Sequence, residues 1–142
     1  AISTAYYALF HAITFHASAM FRPEYDNASL VIRRVYSHSA MKQCCVSFAK
    51  HTVPEALAQK IGWSKYSPPD EIREIAAAFV FLQELRHRAD YDNASELKQD
   101  DAKSSVQKAT ESIEKLRLVT KSHPNDLGLF LLALLLGQHR DA

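Results

Sequence analysis

Turn-forming residues are scarce in this sequence, which has 3 glycines and 5 prolines in 142 positions. A sandwich or barrel of short strands draws on such residues at its reversals, so an all-β fold does not fit. Cysteine is nearly lacking as well. Cys44 and Cys45 are the only two, and neighbours on a helix point about 100° apart, which speaks against a disulfide between them. Without a Cys-x-x-Cys pair there is no structural zinc pattern, and reduced thiols in a cytoplasmic protein are expected. Charge of one sign is also missing: 17 Lys+Arg stand against 16 Asp+Glu, a formal net charge of +1. A non-specific duplex binder needs a basic excess to displace counterions, so any nucleic-acid contact must come from a local patch. No segment reads as a cleavable signal peptide. The apolar run from Leu127 to Leu136 would make about 15 Å of helix, too short for a bilayer. No membrane association is expected; that run suits a buried terminal helix or a subunit contact. Gly-rich phosphate loops, Ser-His-Asp order and His-Glu-x-x-His are absent. His51, His123 and His139 lack helical ligand spacing, so neither a metal site nor a cofactor is expected.

Alanine, leucine, glutamate and lysine fill the long segments instead, as helices prefer. The length fits one domain. Ile2, Tyr6, Leu9, Ile13 and Met20 recur at helical spacing, with Tyr7, Ala8, Phe10 and Phe15 around the rest of the circumference. A helix apolar nearly all round is buried from several sides, which makes residues 1–21 the expected central helix. It opens at Ala1 with no methionine before it, so residues upstream are expected. Asp26 or Asn27 is placed to cap a short helix through Leu30, Val31 and Val35. Ser37-His38-Ser39 reads as a break and a new start, leading to about Lys50. Pro54 opens a further short helix ended by Gly62, with Trp63 in the loop beyond it.

Ser67-Pro68-Pro69-Asp70-Glu71 is a helix start with prolines and acids in the first turn. Ile72, Ile75, Phe79, Leu82, Leu85 and Ala89 carry its stripe to about Tyr91, and residues 92–95 read as a loop. Asp100 is the expected cap of the next helix, whose apolar positions are Ala102, Val106, Ala109, Ile113, Leu116 and Val119. His123-Pro124 stops it. Asn125 or Asp126 then caps a last helix closed by Gly137. The pattern predicts an all-α domain over 1–124, with the apolar helix of 125–142 packing on the bundle or on a dimer partner.

The densest polar cluster at a helix end is Arg86-His87-Arg88-Ala89-Asp90-Tyr91. Arg86 and Asp90 are four residues apart, so they can pair. His87 and Tyr91 share another face, and Arg88 a third. Two accounts stay open. Arg86 and Arg88 are end-of-helix cations favoured by the macrodipole, with Asp90 as partner. Alternatively, one of the guanidiniums binds phosphate through its forked donors, and a nearby histidine serves as acid or base. Tyr7 and His11 lie four apart on the first helix, either as satisfied core groups or lining a cleft. His16 follows the main stripe and reads as structural. His38 is either a neighbour of the cap or a residue facing a ligand. Arg33 and His38 fit an Arg-x4-His nuclease spacing, but the pair straddles the expected helix break, and two-residue patterns recur by chance.

Ser3-Thr4-Ala5-Tyr6-Tyr7-Ala8-Leu9-Phe10-His11-Ala12 resembles the opening helix of HEPN proteins (higher eukaryotes and prokaryotes nucleotide-binding). Ser37-His38-Ser39 is similar to the start of their next long helix, and Leu85 to Tyr91 to their Arg-x-x-Ala-Asp-Tyr signature. Order and spacing agree over roughly residues 1–120. The resemblance implies an antiparallel, up-and-down bundle of four to five helices plus short ones, commonly a homodimer, often encoded with a minimal nucleotidyltransferase in toxin–antitoxin or defence settings. Many members cleave RNA with an Arg, then four to six residues, then a His. Here Tyr91, Asp92 and Asn93 occupy the positions where that His would follow Arg86. The expected function is therefore an RNA- or nucleotide-binding domain, its ligand held by Arg86, Arg88, Asp90, Tyr91, His38 and Tyr7. The alternatives are a divergent metal-independent ribonuclease toxin, with Arg86, His38 and His11 as catalytic candidates, and a pure protein-interaction module.

Overall fold

Helical periodicity is realised as six α-helices among the described residues: α1 (Ile2–Phe21), α2 (Asp26–Val35), α3 (His38–Ala49), α4 (Asp70–Tyr91), α5 (Gln99–Ser122) and α6 (Pro124–Leu136). They come from a computed structural model that describes residues 1–21, 26–50, 52–54, 58–59, 62, 66–91 and 99–136, with the backbone alone for 26–29 and 91. No strand occurs among them, and no helix is long and apolar enough to cross a membrane. The expected helix between Pro54 and Gly62 falls largely outside the described residues, as do Trp63, the loop at 92–95 and Gly137. Gly62 itself has φ 72°, a left-handed backbone that glycine adopts without a Cβ penalty.

The helix starts follow local chemistry. Ser37 precedes α3 with extended backbone, φ −108° and ψ 146°, and its carbonyl accepts from the Met41 N–H at 3.0 Å. Pro68-Pro69 leads into α4, where the Arg73 N–H donates to the Pro69 carbonyl at 3.0 Å. Asp70 and Glu71 place negative charge on the first turn. Two starts differ from the sequence pattern. Helix α5 begins at Gln99, so Asp100 lies inside its first turn. Helix α6 begins at Pro124, one residue before the expected caps, because proline gives up nothing at a first position whose N–H has no helical partner.

The core gathers Tyr6, Leu9 and Ile13 of α1, Met41 and Phe48 of α3, Ile72, Ile75, Phe79 and Leu82 of α4, Leu116 of α5, and Leu127 and Phe130 of α6. Helix α1 packs on α2, α4, α5 and α6, and α4 on α1, α3, α5 and α6. Lys115 pairs with Glu74 at 2.6 Å, while Lys108 lies 4.8 Å over the Phe81 ring. Positions rise along α4 as they fall along α5, so these two helices run antiparallel.

Two expectations about faces are corrected. Helix α1 is not covered all round: Ala8, His11, Phe15 and Ala19 are exposed, Phe15 at 59%. Its neighbours cover the remaining sides only. The buried face of α5 runs through Ser105, Ala109, Ser112, Leu116 and Val119, whereas Val106 is exposed. Small serines let α5 lie close to its neighbours, and the Ser105 hydroxyl is satisfied by the Asp101 carbonyl at 2.7 Å. The apolar helix α6 packs on the bundle, one of its two expected placements, and leaves Leu132 and Leu136 exposed. Leu127, Leu129, Phe130, Leu131, Ala133 and Leu134 are buried, and the Tyr36 hydroxyl donates to the Leu131 carbonyl at 3.0 Å. A Cβ at Gly128 would stand 3.3 Å from the Met20 sulfur, so glycine permits the close approach to α1.

Candidate functional site

The N-terminal turns of α1 and α3 and the C-terminal turns of α4 meet at one end of the bundle. Tyr6 enters from the buried stripe of α1 and is fully enclosed. A buried phenol needs a partner, and Tyr6 Oη shares a hydrogen bond with His38 Nδ1, 32 residues away. The break at Tyr36-Ser37 makes His38 the first residue of α3 and so delivers its ring to the start of α1. That ring stacks on Phe10 with centroids 4.2 Å apart and meets Tyr7 edge-on at 5.8 Å. Its backbone is held from α4, where Gln83 Nε2 donates to the His38 carbonyl at 3.1 Å.

Arg86 lies three residues beyond Gln83, on the same face of α4. Its guanidinium carbon is 4.9 Å from the Tyr7 ring centre and 5.3 Å from that of Tyr6. Such cation–π contacts hold the group over the aromatic pair. Nε approaches Asp90 Oδ2 at 3.4 Å, the expected pairing across one turn. The N–H is not aimed at that oxygen, however. Nε is buried with no hydrogen-bond partner, although the side chain as a whole remains 28% exposed. The contact is therefore coulombic, and Arg86 makes no hydrogen bond among the described residues. Gln83 Oε1 is likewise buried and unpartnered.

Electrostatics favour neutral forms around Arg86. Burial lowers the His38 pKa, and the charges of Arg86 and His11 push it the same way. Burial raises the Tyr6 pKa strongly, with Arg86 opposing, so the phenol keeps its proton. His11 is exposed and stacks on Tyr7 at 6.1 Å.

Of the residues singled out from the sequence, Arg86, His38, Tyr7 and His11 thus come together, with Asp90 attached through Arg86. Arg88 does not join them; it is exposed, two positions and about 200° further around α4. The Tyr91 side chain lies outside the described residues. Arg33 belongs to α2 and His38 to α3, so their nuclease-like spacing spans two helices. Sequence reasoning missed Tyr6, Phe10 and Gln83. Tyr6 and Phe10 looked like plain core positions; the phenol on a buried stripe was the available signal. No group of three or more His, Cys, Asp or Glu residues able to hold a metal occurs among the described residues. In chemical terms the cluster offers a half-open guanidinium with unused donors, a neutral imidazole and an aromatic floor. No protein-family model, curated protein or solved structure matches the chain.

Proposed function

We propose that this chain is a HEPN-like binding module that takes a phosphate group of RNA or of a nucleotide at Arg86, beside His38 and Tyr7. The observation that carries this reading is the guanidinium of Arg86. It is fixed over two rings, partly open to solvent, and makes no hydrogen bond among the described residues, with Nε fully enclosed. The enclosed Nε is out of a ligand's reach, so phosphate oxygens would meet the part of the guanidinium fork that is open to solvent. The exposed His11 stacked on Tyr7 adds aromatic surface for a base. With a net charge of +1, phosphate recognition would have to come from a local cluster such as this one. The family resemblance adds a homodimer and a minimal nucleotidyltransferase partner, which co-expression and co-purification test directly. The binding test is a fluorescence titration with single-stranded RNA and mononucleotides at low salt, where phosphate contacts are strongest. Saturable binding supports the module; flat titrations with both ligands refute it.

One observation favours a second reading. His38 and Arg86, from different helices, both lie against the Tyr6 ring, so a metal-independent ribonuclease does not require the histidine absent after Arg86. Cleavage of RNA in the presence of a chelator, abolished in Arg86→Ala, would establish it. Intact RNA after prolonged incubation would remove it.

A further inference from the structure

We infer that Tyr6 is a positioning residue that holds His38 as the Nε2–H tautomer, so that His38 presents a hydrogen-bond donor beside Arg86 instead of a base. This deepens, and rests on, the proposed phosphate-binding role of the cluster. Tyr6 is fully buried, and His38 Nδ1 is the one partner of its hydroxyl among the described residues. A phenol has a single proton to donate, and a buried one must place it on an acceptor. If Nδ1 carried a proton, it would face the phenol oxygen and leave the phenol proton without an acceptor. That arrangement arises in both the Nδ1–H tautomer and the imidazolium.

The imidazolium meets two further objections. It would stand near the Arg86 cation, with which it shares the Tyr6 and Tyr7 rings. It would also occupy the first residue of α3, where the helix dipole disfavours positive charge. The neutral ring with a bare Nδ1 gives the phenol proton its acceptor. Phe10 stacks on one face of the ring, which hinders its turning over to exchange nitrogens. A donor next to a guanidinium suits an acceptor-only oxyanion such as a phosphodiester. The same tautomer leaves no free nitrogen to take the 2′-hydroxyl proton with which metal-free RNA cleavage begins. His38 is thus set to bind and not to serve as the base.

Imidazole nitrogen spectra of the full chain, labelled with 15N-histidine, test this assignment, with His38→Gln identifying the His38 signals. At a pH where the ring is neutral, Nδ1 should resonate as an unprotonated nitrogen and Nε2 as a protonated one. Tyr6→Phe keeps the aromatic ring but removes the hydroxyl; it should shift His38 towards a tautomer mixture and move its titration to higher pH. A protonated Nδ1 in the wild-type chain overturns the inference whatever Tyr6→Phe does, as does an unchanged His38 pattern in a folded Tyr6→Phe. Adding inorganic phosphate to the same sample separates the two levels. A bare Nδ1 whose signals ignore phosphate upholds the tautomer and refutes the binding reading. Phosphate-dependent shifts on a protonated Nδ1 do the reverse.

Discussion

Replacing Arg86 with alanine should cut RNA affinity heavily without a large change in stability, and the structure supplies both magnitudes. A charge-assisted hydrogen bond contributes about 1.5–3 kcal/mol. At about 1.4 kcal/mol per factor of ten, Arg86→Ala should weaken binding roughly 10- to 150-fold. On the stability side, the Asp90 pair is partly exposed on both partners, so it is worth about 0–1 kcal/mol after solvent screening. The interactions with the Tyr6 and Tyr7 rings add about 0.5–1 kcal/mol each. Against these stands the removal of a buried, unpartnered Nε, a group that costs about 1–3 kcal/mol to enclose. The opposing contributions cancel at their midpoints and leave a net change within about 2 kcal/mol, at most several degrees in Tm for a chain of this size. Salt offers a second measure. With one fewer phosphate of a single strand neutralised, the plot of log K against log salt should become shallower by about 0.7. Arg86→Lys keeps the charge but not the fork, so it should retain most of that slope and lose part of the affinity. Fluorescence titration at several salt concentrations, with a thermal melt of each variant, reads all these quantities. An Arg86→Ala protein that binds RNA as tightly as wild type refutes the reasoning. One that loses several kcal/mol of stability shows instead that Arg86 is a structural residue.

Further expectations concern the core and its titrating groups. Phe130 is fully buried and meets Phe48 edge-on at 5.0 Å, so Phe130→Ala should cost about 3–5 kcal/mol in urea unfolding; a loss under about 1 kcal/mol would mean that α6 is loosely held. Tyr36→Phe removes the bond to the Leu131 carbonyl and should cost about 0.5–1.5 kcal/mol in the same assay, whereas an unchanged midpoint would show that bond to be unimportant. Burial encloses both cysteines and raises the Cys45 thiol pKa, so a thiol reagent at neutral pH should label neither until the chain unfolds; rapid labelling of the native protein would contradict the packing of α3. Burial also depresses the pKa values of His16 and His38. The unfolded chain then binds more protons than the folded one once pH drops below about 6.5. Stability should therefore be full above that value and decline as pH falls towards the lower folded pKa values; melts showing greater stability at pH 5.5 than at 7.5 would reverse the sign.

The sequence by itself determined the all-α class and most helix limits, because these rest on local chemistry. The 3.6-residue recurrence of Ile72, Ile75, Phe79 and Leu82, the Pro68-Pro69-Asp70 start and the break at Ser37 act over a few residues whatever lies across the core. The pairing of Arg86 with Asp90 was legible for the same reason, since one helical turn sets its geometry. Which face each helix buries was decided only by tertiary packing. Val106 and Ser105 are adjacent, and the close fit of α5 to its neighbours encloses the serine and exposes the valine. The meeting of Tyr6, His38 and Arg86 is of that second kind: 32 residues separate the first pair and many more the second. The phenol on a buried stripe signalled that Tyr6 needs a partner, but which partner it meets was decided by the helix that brings His38.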